Sequence, residues 1–315
     1  MSAYRLPAVT VRVPAKINLH LGVGPVRADG FHELHTIYHA VSLYDEVTIE
    51  AGPPGVAVEV VGEHAEQVPV GDDNLAVRAV RAVAEQAGID PAVQVRLRKG
   101  IPVGGGLAGG SADAAAALVA ADCYWQTGLD RAALEPMAAE LGSDVAFLLH
   151  GGTALGTGHG EVVSPVLSRG ELHWVLAVAE AGLSTPSVYA EFDRQRGDEL
   201  AADSASAADG VLAALRAGDP VALGRALRND LQAPALRLRP NLARVLDAGR
   251  ELGAAGGIVS GSGPTVALLA RSAGDAVRIA SALAGYDVCR SVRRASGPVP
   301  GARVVPADQR QRLSR

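Results

Sequence analysis

Residues 101–118, IPVGGGLAGGSADAAAAL, set five glycines and a serine ahead of an alanine-rich run. Alanine is the strongest helix former, and the run reaches Trp125 without glycine or proline, so a mostly buried helix is predicted there. At the start of such a helix the first N–H groups lack intrahelical partners, and the macrodipole places about half a positive charge there. Glycines in front let the backbone approach an anion without Cβ clashes and turn several N–H groups toward one point. The stretch reads either as a phosphate cradle or as a glycine-rich turn that packs a helix.

Two familiar nucleotide motifs do not fit it. Gly104-x-Gly106-x-x-Gly109 matches the dinucleotide fingerprint, but that motif needs a following strand with an acidic end about 20 residues on. Here a second helix is predicted instead. A Walker P-loop requires lysine before the serine, and Gly110-Ser111 has none. What remains is a loop whose backbone N–H groups carry phosphates. Ser111 would open the helix and offer a hydroxyl to phosphate or Mg²⁺, and Lys99 just upstream would add a charge.

Outward from this loop the pattern is α+β. Residues 10–24 alternate apolar and polar side chains, turn at Asp29-Gly30, and return in a second strand over 35–52. A strand at 56–62, a helix at 75–87 ending at Gly88 and a strand at 92–99 precede the loop. Beyond it, helices at 130–142 and 143–152, a glycine-broken hairpin and a buried strand at 173–182 complete a first lobe, placed at residues 1–180. Residues 196–210 are small, acidic and unpatterned, which suggests a surface connection. Helices near 208–217, 220–228, 239–253 and 274–284, with strands at 256–263, 264–272 and 286–294, make a second lobe over 181–295. Residues 296–315, rich in Pro, Gly and Arg, read as a loose tail.

The balance of 29 basic and 34 acidic side chains, net −5, contains no basic block that would suit a nucleic acid. No apolar stretch is long enough for a membrane span and no leader pattern opens the chain, so a cytoplasmic protein acting on a small molecule is expected. It is expected to act as a monomer or a weak homodimer. Cys123 and Cys289 sit in apolar segments and read as buried free thiols. His32, His35 and His39 invite a zinc site, but Thr36 stands where a metal-binding helix would need its second histidine.

Three segments in order resemble the galactokinase, homoserine, mevalonate and phosphomevalonate kinase superfamily. They are PAKINLHLGV at 14–23, the 101–118 loop, and GIVSGSGPTVALL at 257–269. The resemblance implies two lobes, an N-terminal one like ribosomal protein S5 and a ferredoxin-like α/β C-terminal one, with the active site in the cleft between them. RADGFHEL at 27–34, LGSDVAFLLHGGTALGTGHGE at 141–161 and LSTPSVY at 183–189 are similar to the branch whose acceptor is a methylerythritol unit carried on cytidine diphosphate. That branch transfers the γ-phosphoryl group of ATP to a tertiary hydroxyl. A sister kinase for mevalonate, diphosphomevalonate or homoserine is the alternative, as is a non-catalytic sensor on the same fold.

The resemblance also distributes roles. Pro102, Val103, Gly104, Gly105, Gly106, Leu107, Ala108, Gly109, Gly110, Ser111 and Ala112 would form the ATP site, with Lys99 beside it and Mg²⁺ near Ser111. Asn74 would serve the nucleotide, or simply cap its helix. Asp144, in GSDV, would be the catalytic base, where ordinary stabilisation of a helix start is the competing explanation. Lys16 lies in an apolar strand, where a lone ammonium would cost several kcal/mol unless paired; the resemblance makes Asp144 its partner. Asn18, on the same strand face, would bind substrate. Phe31 and His32 would hold the cytosine, Tyr189 would oppose Phe31, and Thr185 and Pro186 would line the substrate side. RNDL at 228–231 also resembles a recurrent segment of these kinases, without a chemical role.

Overall fold

Alternation in the first fifty residues yields two long antiparallel strands, β1 (Val9–Val26) and β2 (His32–Ala51), in a computed structural model that describes residues 6–180, 182–196 and 208–306. Their turn is closed by Arg27 N–H donating to the Phe31 carbonyl at 2.7 Å and Gly30 N–H donating to that of Arg27 at 3.0 Å. β3 (Gly55–Gly62), α1 (Leu75–Ala87) and β4 (Ala92–Lys99) follow as a crossover unit, with β3 parallel to β4 at the sheet edge. Then come α2 (Gly109–Trp125), α3 (Arg131–Leu141) and α4 (Ser143–His150), and the hairpin β5 (Thr153–Thr157) and β6 (Val162–Pro165) on the free part of β2. α2 is the central pillar of this lobe. Its alanines are almost wholly buried between the sheet and its neighbouring helices, where a small side chain permits close approach.

The second half builds a four-stranded antiparallel sheet from β7 (Leu172–Val178), β9 (Gly256–Val259), β10 (Val266–Ala270) and β11 (Ser291–Gly297), in the order β11-β7-β10-β9. Between β7 and β9 run α5 (Thr185–Arg196), α6 (Asp209–Ala217), α7 (Pro220–Ala226), the short β8 (Arg228–Asn229), α8 (Gln232–Leu238) and α9 (Asn241–Glu251). α10 (Ala273–Leu283) packs beneath β7 and β10, and β12 (Arg303–Val304) closes the described chain. β8 runs parallel to β1, pairing His20 with Arg228 and Leu21 with Asn229, so the second half reaches back to the first sheet.

Several expectations need correction. β7 pairs with β10 and β11, so it belongs to the second sheet rather than to a lobe ending at residue 180. A strand that is buried along nearly its whole length has no polar face to show which core it joins. Residues 298–306 are no loose tail. Pro300 bridges Gly151, β12 pairs with Val11 and Arg12 of β1, and Ala302 and Val305 are buried. Two buried apolar side chains among Pro, Gly and Arg tie this strap to the first lobe. α8 was not foreseen, and β11 starts at Ser291 rather than at residue 286. Cys123 and Cys289 are free, as expected, but only half-buried. Most of the predicted connection, residues 197–207, lies outside the described residues, as does 307–315. Among the described residues no helix is long and apolar enough to cross a membrane.

Candidate active site

The loop between β4 and α2 is the meeting point of all three glycine-containing segments. Lys16 N–H donates to the Leu107 carbonyl at 3.2 Å, Thr265 N–H to that of Gly105 at 3.2 Å, and Ser260 Oγ to that of Gly106 at 3.2 Å. Gly106 has φ 73°, and a Cβ there would collide with the Gly263 carbonyl, so glycine is required both by conformation and by the approach of the second turn. Ala108, with φ 61°, is the N-cap of α2. The helix therefore opens at Gly109, and Ser111 is its third residue rather than its first. Helix geometry leaves the N–H groups of Gly109, Gly110 and Ser111 without intrahelical partners. Residues 102–106 and 108–111 line a cavity of about 570 Å³. Leu107 and Ala112 instead point into the core, at 1% and 0% exposure.

Lys99 is buried directly under this loop, held between the carboxylates of Asp45 on β2 and Asp113 on α2. Burial opposes its charge, but Asp113 and Asp45 outweigh that and hold the ammonium above its ordinary range. Its charge is thus paired within the fold, and Lys99 and Asp113 both contribute to the cavity wall. Asp45 also accepts the N–H groups of Gly100 at 2.7 Å and Ile101 at 2.8 Å, so the triad fixes the start of the loop. Burial, with Asp45 adding to it, pushes the Asp113 carboxyl well above the usual range.

Asn74 does cap α1, accepting from Ala76 N–H at 2.8 Å, while its amide donates to the Pro69 carbonyl at 2.6 Å. Both ends of the side chain are used, and Asn74 is not in the cavity wall. Its neighbours Gln67, Val68 and Pro69 are. Sequence reading missed them because no residue there carries a chemical signature.

Lys16, Asn18, Tyr38 and Asp144 also line this cavity. β1 places residues 16 and 18 on one face, and Lys16 Nζ donates to Asn18 Oδ1 at 2.8 Å. Asn18 Nδ2 in turn donates to Thr36 Oγ1 at 2.8 Å, which fixes the orientation of the amide. Gly142, at φ 152°, turns the chain from α3 into α4, and Asp144 is in the first turn of α4. Its Oδ2 lies 3.4 Å from Lys16 Nζ.

α5 begins at Thr185-Pro186 and carries Tyr189 into the cavity wall. Thr185 Oγ1 and Ser262 Oγ are 2.8 Å apart, linking α5 to the third glycine segment. Burial, and then the charge of Asp144, pushes the Tyr189 phenol up to about 12. His32 stacks on Tyr189 with centroids 5.4 Å apart and planes at 25°. Its Nδ1 donates to the Gly24 carbonyl at 2.9 Å and its Nε2 faces Asp193 at 3.2 Å. Phe31 is 65% exposed beside the ring of His159, which does line the cavity. Phe31, His32 and Pro186 adjoin the cavity without forming its wall. Among the described residues no group of three or more metal-ligating side chains gathers, and His39 is buried on Thr153 Oγ1 at 2.8 Å.

The RNDL segment has a clear structural part. Asn229 Nδ2 donates to the carbonyls of Val259 at 2.9 Å and Gly261 at 2.7 Å, and Asp230 Oδ2 accepts Val23 N–H at 3.0 Å. Gly261 sits against Lys16 and Asn18, with its absent Cβ 3.5 Å from Lys16 Nζ. The segment therefore clamps the third glycine turn against β1.

Comparison with known proteins agrees with this architecture. Models for the GHMP kinase N-terminal and C-terminal domains match residues 74–152 and 211–287. The 4-diphosphocytidyl-2-C-methyl-D-erythritol kinase of Salinispora arenicola is 58% identical over 295 residues, 93% of each chain. That of Mycobacterium tuberculosis is 54% identical over 301 residues, 95% of this chain and 94% of its own. A crystal structure of 4-(cytidine 5'-diphospho)-2C-methyl-D-erythritol kinase superposes with a TM-score of 0.73 at 34% identity, covering 91% of this chain and 98% of that one. Homoserine kinase from Cytophaga hutchinsonii superposes with a TM-score of 0.77 at 22% identity, covering 95% and 97%, so the shared fold does not by itself distinguish acceptors.

Proposed function

The chain belongs to the GHMP kinase family, in the branch of the 4-diphosphocytidyl-2-C-methyl-D-erythritol kinases, and from that premise we propose that it phosphorylates the 2-hydroxyl of that cytidine diphosphate substrate with ATP. The observation that carries the reading is the Lys16–Asp144 pair, 3.4 Å apart in the wall of the cavity that the phosphate loop lines. ATP phosphates lie at the start of α2, where free N–H groups and the helix dipole favour anions. Gln67, Val68 and Pro69 border the nucleotide side. The acceptor enters between Asn18, Thr185 and Tyr189, with its cytosine toward Phe31 and His32.

Phosphoryl transfer needs the acceptor oxygen in line with the bridging oxygen that leaves, and little covalent help from the protein. The acceptor oxygen bonds to the γ-phosphorus as the bond to the ADP oxygen breaks, and the hydroxyl proton passes to Asp144. Lys16 holds that carboxylate and places positive charge beside the reacting oxygens. Ser111 and Asp144 supply hydroxyl and carboxylate oxygens, donors that suit Mg²⁺ bound through few protein ligands and the substrate phosphates. Bound there, Mg²⁺ would neutralise phosphate charge.

A coupled ATP-consumption assay with three acceptors tests the assignment. Turnover is expected with the diphosphocytidyl substrate and not with mevalonate or homoserine; phosphorylation of mevalonate instead would overturn it.

A further inference from the structure

Tyr38 was not singled out by its sequence, yet the fold builds a place for it beside the reacting pair. It is 3% exposed, and its ring stacks on Phe147 of α4 with centroids 4.9 Å apart and planes at 22°. Lys16 Nζ lies 5.7 Å from the centroid of the same ring. Two glycines make the room. A Cβ on Gly156 would run into the ring edge, and one on Gly160 would overlap the hydroxyl while lying 3.4 Å from Ser143 Cβ. The phenol oxygen is therefore set against the first turn of α4, within reach of the charge of Asp144.

We infer that Tyr38 is a positioning residue for the phosphoryl transfer: its hydroxyl donates to the Asp144 carboxylate and, together with Lys16, fixes the rotamer from which Asp144 meets the acceptor. Burial, and then the negative charge of Asp144, holds the phenol well above its ordinary range, so it stays a donor and does not itself serve as the base. A hydrogen bond to a charged group is among the stronger ones in proteins, and a small misplacement of a catalytic group slows reaction steeply. The inference rests on Asp144 acting as the base.

The test compares wild type with Tyr38→Phe, which keeps the ring, its stack on Phe147 and its face toward Lys16 while removing only the hydroxyl. kcat should fall about tenfold, with both KM values within about twofold and an unchanged melting temperature. The same substitution is then made in an Asp144→Glu background, where the longer side chain no longer presents its carboxylate to the phenol in that rotamer. There it should cost less than about twofold, measured with excess enzyme in single turnovers. An unchanged kcat, a loss confined to KM, a lower melting temperature, or an equal loss in both backgrounds would overturn the inference. If wild type prefers a different acceptor, the acceptor assignment falls, and the same comparison on that acceptor still tests Tyr38.

Discussion

Lys16 Nζ lies 3.4 Å from Asp144 Oδ2, and the two side chains are unequally exposed, 7% against 30%. The ammonium is enclosed by Asn18, Tyr38 and the Gly261 turn, while the carboxylate keeps a face open to the cavity. That asymmetry makes the lysine the more enclosed member of the pair and leaves the aspartate the one more open to the cavity. An arginine there would have to set a larger, planar head among the same neighbours. Lys16→Arg keeps the charge but should lower kcat/KM at least about tenfold, with ATP affinity retained. Steady-state kinetics with a fluorescent ATP analogue as binding probe checks this, and wild-type rates would mean that the ammonium geometry is not used.

His39 gives the fold a pH dependence. Burial holds the ring down to about 3, against an ordinary value of 6.5. Below 6.5 the unfolded chain takes up a proton that the native protein refuses, so stability is present above that value and is lost as pH falls toward 3. The slope is at most about 1.4 kcal/mol per pH unit. His39→Gln should flatten the pH dependence of the urea midpoint between about pH 6.5 and 5. Parallel curves for the two proteins would assign the dependence to other groups.

Lys99→Met should leave Asp45 and Asp113 facing each other without their cation. Breaking a buried ion pair from one side costs about 3–5 kcal/mol. Because Asp45 also holds the N–H groups of Gly100 and Ile101, ATP binding should weaken as well. Urea unfolding and ATP titration measure the two effects, and a stable variant with unchanged ATP affinity would show that the triad does not hold the loop.

His32→Ala removes the ring that stacks on Tyr189 and spans Gly24 and Asp193. The acceptor KM should rise at least about tenfold while the ATP KM stays within about twofold. Steady-state kinetics with each substrate varied in turn decides it. An unchanged acceptor KM removes His32 from the acceptor side.

The parts that were legible in the sequence carry their signal locally. Period-two alternation announces β1 and β2, and five glycines before a polyalanine run announce a loop entering a buried helix. The hidden parts depend on distant partners. Lys99 looks like a spare charge until β2 and α2 bring Asp45 and Asp113 to it, and β7 looks neutral between two cores because it is buried throughout. Asn74 touches the cavity only indirectly, through the Pro69 carbonyl. Tyr38 was passed over because a lone tyrosine in a strand reads as core, and only the empty spaces at Gly156 and Gly160 show that its hydroxyl has a place of its own. The strap at 298–306 disguises its buried Ala302 and Val305 in a tail-like composition.

The central claim is that Asp144 takes the acceptor proton at a phosphate loop that works without it. Asp144→Asn keeps the shape of the side chain and removes its charge. The most direct measurement is single-turnover phosphoryl transfer by this variant to the diphosphocytidyl acceptor, alongside calorimetric ATP titration. With Asp144 as the base, the rate should fall at least about a thousandfold while ATP affinity stays within about threefold of wild type. A variant that transfers phosphate at the wild-type rate would contradict it.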